Sequence, residues 1–172
     1  MDKSISKDKV LLDLRKDWAV IPYLGLILVG FGLSLWDIMV TRQFQFAWTL
    51  NVIMSIPFLL IGVIMRSLSR ATLMKAGLGM LESTRLRIVE DQKLVTTGVY
   101  AYIRHPLYLG EICRNIGVPL FFNSFTGLIF ILFGNIFLLL RIRIEEDLLI
   151  EEFGDEYFEY RKRTKKIIPY IY

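Results

Sequence analysis

The chain holds one histidine, and its neighbours make it the first place to look for chemistry. His105 lies in Arg104-His105-Pro106-Leu107-Tyr108, after a charged stretch and immediately before a hydrophobic run. Proline at the first position of a helix gives up only an N–H that would be unpaired anyway, so Pro106 predicts a helix start with His105 and Arg104 just outside it. If that helix enters a membrane, an imidazole and a guanidinium stand at the water boundary, where a polar reaction can meet a lipid-borne molecule. The same residues also suit an interfacial anchor, because arginine and tyrosine are enriched at membrane boundaries.

A second group of reactive types lies further on, in the run from Arg141 to Asp147, with Glu145 and Glu146 as adjacent carboxylates. Arg141 with Glu145 and Arg143 with Asp147 are four residues apart, the spacing of salt bridges on a solvated helix. Tyr157, Tyr160, Tyr170 and Tyr172 fit an aromatic belt equally well. Between the two groups, Glu111 and Arg114 share one face of the run after His105; ionisable residues at that depth face a cavity or each other. No His/Cys/carboxylate spacing suggests a metal.

The elements that must hold these groups are membrane helices. A chain of 172 residues that is 54% hydrophobic, with a mean hydropathy of +0.47, is too apolar for a soluble domain of its size. Four apolar segments approach the roughly 20 residues needed to cross a bilayer: 18–36, 47–65, 106–122 and 125–140. Asn123-Ser124 separates the last two, which predicts a tight helical hairpin. Residues 66–105 carry Leu73, Met74, Leu78 and Leu81 at helical spacing, then Leu86 and Ile88 alternating with Arg85 and Arg87, the pattern of a surface helix followed by a short extended stretch. The helical pattern of the fourth segment continues through Phe153, with Gly154 as its expected stop.

Nineteen of the 21 lysines and arginines fall before the first segment, between the second and third, or after the fourth; Arg42 alone lies between the first two, and Arg114 within the third. The positive-inside rule then puts both termini and the middle loop in the cytoplasm. The net charge of +4 is modest and one-sided, which fits membrane orientation and gives no indication of nucleic acid. Cys113 lies inside an apolar run, so no disulfide framework exists. Met1 to Asp17 are charged and lack the apolar core of a cleavable signal peptide. The expected organisation is all-α: one multi-pass membrane domain over 1–172, made of two N-terminal membrane helices (1–65), a cytoplasmic amphipathic segment (66–105), and a hairpin with a cytoplasmic extension (106–172). Because a hairpin returns after one crossing, the residues around His105 and those after Arg141 end at the same face of the membrane.

At these residues the chain resembles a known family. The run Leu94-Val95-Thr96-Thr97-Gly98-Val99-Tyr100 through His105-Pro106-Leu107-Tyr108-Leu109-Gly110, then Arg141, Glu145-Glu146, Leu149, Phe153-Gly154, Tyr157, Tyr160 and Pro169, is similar to the isoprenylcysteine carboxyl methyltransferase family. That family belongs to a wider class of small membrane methyltransferases that includes phospholipid methyltransferases. The resemblance covers roughly residues 78 to 169. It implies transfer of a methyl group from S-adenosylmethionine, bound at the cytoplasmic end of the hairpin, to a lipophilic acceptor entering from the bilayer. Carried over position by position, Tyr100, His105, Pro106, Tyr108, Gly110 and Glu146 correspond to cofactor contacts, and Arg141 and Glu145 to residues at the acceptor end. Lys166 stands where many relatives have arginine, and Glu82 where tryptophan is common; relatives often carry more membrane segments at the N-terminus.

The chemistry this implies is modest for the protein. Methyl transfer from a sulfonium is an in-line displacement, so positioning and exclusion of water supply most of the acceleration. A carboxylate acceptor needs no base, since its ordinary pKa lies near about 4, whereas an amine would have to lose a proton, to Glu145 or His105. Arginine suits a carboxylate or phosphate through paired hydrogen bonds. Two other classes share part of this pattern. Membrane sterol reductases, which use NADPH, have a similar Arg-His-Pro-x-Tyr sequence followed by Gly-Glu, as in Gly110-Glu111 here. In a non-enzymatic membrane scaffold the same motif is only an anchor. The paired Glu145-Glu146 and Phe153-Gly154 fit the methyltransferase better.

Overall fold

The computed structural model describes residues 17–41, 50–77 and 94–168. Within them α1 runs Val20–Thr41, α2 Leu50–Lys75, α3 Pro106–Phe121 and α4 Phe125–Arg163, with a 3-10 turn over Gly98–Ala101 ahead of α3. No β-strand occurs among the described residues, and the architecture is the expected all-α one. Helix α2 lies along α3 and α1 along α4, while α3 and α4 form the hairpin. Asn123 turns the chain with a positive φ of 53°, and the Ser124 hydroxyl caps α4 by accepting from the Gly127 N–H at 3.0 Å.

The molecule is apolar outside and polar inside. Leu28, Met39 and Leu50 are 75%, 77% and 73% exposed, whereas Ser34, Ser55, Ser69 and Asn115 are fully buried. In water so much exposed apolar side chain would drive association; in lipid it faces its own kind. Helices α1, α2 and α4 are each long and apolar enough to cross a membrane. Helix α3 has 16 residues, short of the roughly 20 required, so three of the four expected crossings meet that length. The short helix carries Glu111, Arg114 and Asn115 and is placed against α2 rather than alone in lipid.

Those polar residues bind the bundle together. Glu111 pairs with both Arg66 of α2 and Arg114, and accepts from the Tyr23 hydroxyl of α1 at 3.0 Å. Asn115 donates to the Tyr23 oxygen at 3.2 Å and to Asn135 of α4 at 3.1 Å. All four helices therefore meet in one network, and between Glu111 and Arg114 the structure shows an ion pair. Around it, Tyr23, Ile27, Ile131 and Leu138 form an apolar core between α1 and α4.

Two expected boundaries move. Helix α2 continues through residues 66–75, so the start of the expected surface segment prolongs a membrane helix; Leu73 is buried in it and Met74 exposed. Leu78, Leu81, Glu82, Leu86 and Ile88 lie outside the described residues, as do Arg42 and Pro169. Helix α4 does not stop at Gly154, where φ is 48° and ψ is −122°; it kinks there and continues to Arg163. Glycine tolerates that conformation because it lacks the Cβ that would clash.

Gly110 sits where α2 and α3 are closest. A Cβ built on it would lie 2.9 Å from Arg66 Cγ and 3.0 Å from the Gly62 carbonyl oxygen. This is the small-residue contact of membrane helices, which lets two backbones approach. Gly110→Val should therefore force the pair apart at a cost of about 1–3 kcal/mol, read as a thermal midpoint lower by several degrees in detergent.

Candidate active site

The site is built at the end of the bundle where α3 begins. Ahead of Pro106 the chain is extended and runs parallel to the residues just past α4. The Lys165 N–H donates to the Tyr102 carbonyl at 3.1 Å, the Arg104 N–H to Lys165 at 2.8 Å, and the His105 N–H to Lys166 at 3.0 Å. The kink at Gly154 allows this return, since the helix beyond it buries Tyr157 and Tyr160, and the Tyr160 hydroxyl donates to the Tyr100 carbonyl at 2.7 Å. Tyr160→Phe removes that bond. It should lower stability by about 0.5–1.5 kcal/mol and shift the melting midpoint by a few degrees.

Glu146 is the centre of the cluster, only 4% exposed. Its Oε1 accepts from Arg104 Nε at 2.8 Å, lies 3.4 Å from His105 Nε2, and accepts from the Tyr157 hydroxyl at 3.4 Å. Its Oε2 is 3.0 Å from Lys166 Nζ. So many donors around one carboxyl are the surroundings of an ionised carboxylate. Arg104 also donates through Nη1 to the Thr164 carbonyl at 2.7 Å, satisfying backbone oxygen at the end of α4. Arg104 and Lys166 thus both lie against the one buried carboxylate.

Glu145 is different. Its Oε2 lies 4.0 Å from His105 Nδ1 and is buried without a hydrogen-bond partner. The His105 imidazole, itself 3% exposed, meets the Tyr108 ring edge-on at a centroid separation of 5.6 Å. Tyr108 is within electrostatic reach of Glu145 and Arg141. Tyr100 is buried, and that burial, with Glu145 and Tyr160 adding, pushes its hydroxyl well above the ordinary phenol range, so it stays a neutral donor.

Arg141 overturns one expectation. No ion pair joins it to Glu145 among the described residues. Its Nε is 3.0 Å from both carboxylate oxygens of Asp17, and its Nη2 is 2.8 Å from Oδ2. Arg143 and Asp147 are both exposed, and no ion pair joins them either. The structure thus brings together Tyr100, His105, Tyr108, Glu145 and Glu146, with Pro106 buried at the first position of α3 and Arg141 one turn from Glu145. Gly110 lies in the contact with α2. Arg104, Lys166, Tyr157 and Tyr160 also belong to the cluster. Adjacency to His105 signals the first of these, and the clustered tyrosines the last two. No local pattern signals Asp17, which stands 124 positions from Arg141 in the chain.

The chain is similar to proteins of one known family. The sequence model of the isoprenylcysteine carboxyl methyltransferase family matches residues 54–151. The protein-S-isoprenylcysteine O-methyltransferase of Schizosaccharomyces pombe is 31% identical over 176 residues, spanning 97% of this chain and 73% of that protein. The Saccharomyces cerevisiae enzyme of the same name is 34% identical over 130 residues, 75% of this chain and 53% of its own length; the human one is 31% identical over 175 residues, 98% and 57%. The chain thus spans little more than half the length of the last two. Among solved structures, the eukaryotic intramembrane Ras methyltransferase superposes with a TM-score of 0.67 over 87% of this chain and 52% of that one, at 24% identity, and so shares its fold.

Proposed function

The chain belongs to the isoprenylcysteine carboxyl methyltransferase family, and we propose that it transfers a methyl group from S-adenosylmethionine to a lipophilic acceptor held in the bilayer. The acceptor group we favour is a carboxylate such as that of a prenylcysteine, the substrate in the names of its relatives; a lipid amine is the alternative. The observation that carries the reading is the convergence of unlike charge at the rim: Arg104, His105 and Lys166 gathered on the buried Glu146 carboxylate, beside the buried Oε2 of Glu145. That arrangement suits a ligand carrying a carboxylate and a positive centre together, as S-adenosylmethionine does. On this reading both termini and the site face the cytoplasm.

When bound, S-adenosylmethionine supplies a methyl group already activated by its sulfonium. The protein's work is placement. Arg104 and Lys166 hold Glu146 in place; Glu145 balances a cation; Tyr100 and His105, both buried, exclude water from the same end of the bundle. Arg141, one turn deeper along α4, orients the acceptor, and a carboxylate there needs no proton removed.

Calorimetry with the purified protein in detergent tests the reading. Binding of S-adenosylmethionine or its demethylated product is expected, weakened roughly tenfold by His105→Ala, equivalent to about 1.4 kcal/mol, with the melting midpoint nearly unchanged. Binding of NADPH in place of the sulfonium compound would assign the chain to the reductase class. Labelled methyl transfer to lipid extracts then distinguishes a carboxylate from an amine acceptor.

A further inference from the structure

Two guanidiniums meet one carboxylate where α2 and α3 touch. Arg66 of α2 and Arg114 of α3 both pair with Glu111, which also accepts from the Tyr23 hydroxyl at 3.0 Å. Arg114 gives a further N–H to the side-chain oxygen of Asn115 at 3.0 Å, yet its Nε is buried with no acceptor, as is the Nε of Arg70, one turn beyond Arg66 on α2. Among the described residues, no ion pair joins these three arginines to a second carboxylate. Nor are the paired arginines closed off. Their side chains stay 24% and 33% exposed, on helices whose outer surfaces are apolar.

A guanidinium left uncovered within a membrane is costly, and an anion or access to water must relieve it. Depth decides which anion is at hand. Glu111 lies five residues into α3, about 7.5 Å along its axis, and the whole helix spans about 24 Å against a hydrocarbon core of about 30 Å. A span that is too short is met by thinning of the bilayer beside it, which draws lipid phosphates towards Arg66 and Arg114. We propose that these two arginines form a binding site for the phosphate of an anionic phospholipid, seated on their exposed side between α2 and α3. Planar guanidiniums match phosphate through paired hydrogen bonds, and a headgroup of net negative charge suits two cations that share one carboxylate. Glu111 and Asn115 connect the arginines to Tyr23 of α1 and Asn135 of α4, so a phosphate held there braces all four helices. Such a lipid is distinct from the methyl acceptor, and its binding needs no turnover.

The test is native mass spectrometry of the delipidated full chain in non-ionic detergent, titrated with phosphatidylglycerol, phosphatidylcholine or diacylglycerol of the same acyl chains. One phosphatidylglycerol should bind at least tenfold more tightly than either of the others and raise the melting midpoint by several degrees. Arg66→Met, Glu111→Leu and Arg114→Met together should abolish that preference. Arg114→Gln, which leaves Glu111 paired with Arg66, should do the same and serves if the triple variant does not fold. Lys162→Gln with Arg163→Gln, at the exposed end of α4, should leave it unchanged. Equal binding of the three lipids, or a preference that survives both arginine variants, overturns the proposal. A loss as large in the Lys162 and Arg163 variant marks diffuse attraction to basic surface and also overturns it. Displacement of the lipid by millimolar inorganic phosphate would assign the arginines to the free ion and overturn the lipid as occupant. Absence of methyl transfer in the wild-type protein counts against the proposed activity alone, since lipid binding is read without it.

Discussion

Glu146→Ala should abolish donor binding, weakening it by a hundredfold or more. The carboxylate receives Arg104, Lys166, His105 and Tyr157, so its removal takes away the one anion on which two cations converge. Breaking a buried pair from one side costs about 3–5 kcal/mol, while Arg104 Nη1 keeps the Thr164 carbonyl at the end of α4. Glu146→Gln keeps the shape and one acceptor oxygen but not the charge, and should fall between wild type and alanine. Calorimetry with S-adenosylmethionine, read with the melting midpoint of the empty protein, separates the two contributions. If Glu146→Ala binds the donor normally, the cluster is structural and the donor lies elsewhere.

Glu111→Ala should have the largest effect on the fold itself. It strands Arg66 and Arg114 without the carboxylate they share between α2 and α3. The expected loss is again about 3–5 kcal/mol, a large part of the 5–15 kcal/mol that holds a typical domain together. A chain so changed should precipitate or melt far below the wild type in detergent. The control is a variant with Arg66→Met, Glu111→Leu and Arg114→Met together. Replacing a whole buried ionic group by apolar side chains is often neutral or stabilising, so this variant should recover much of the melting midpoint. Failure to recover would show that the polar network sets the helix register and not only its charge balance.

Much of this arrangement can be read from the residues alone, and the exceptions share a cause. Pro106 marks the start of α3 because proline's restrictions are local, and Ser124 caps α4 for the same reason. The meeting of His105 with Glu146 follows from a hairpin of known length. The length of α2 is misread because Arg66 and Arg70 look like the edge of the membrane, when Arg66 instead turns inward to Glu111. Gly154 is misread as a stop because glycine usually is one. What carries the helix onward is tertiary: buried Tyr157 and Tyr160, and an arginine from another segment at the far end. Arg141 looks committed to Glu145 by spacing, yet its guanidinium is paired with Asp17, far away in the chain. Local rules hold where both partners are local.

The pairing of residues 102–105 with 165–166 also sets an order of events during biosynthesis. A nascent chain emerging from the ribosome as far as Gly154 already owns His105, Glu145 and Glu146, yet the His105 backbone N–H still lacks the Lys166 carbonyl that receives it, and Arg104 has no helix end to grip. The cluster around Glu146 closes only after the chain has been made through Lys166 and has folded back. On the proposed reading, a methyl donor would find its place only on chains whose residues 165–166 have already docked beside His105.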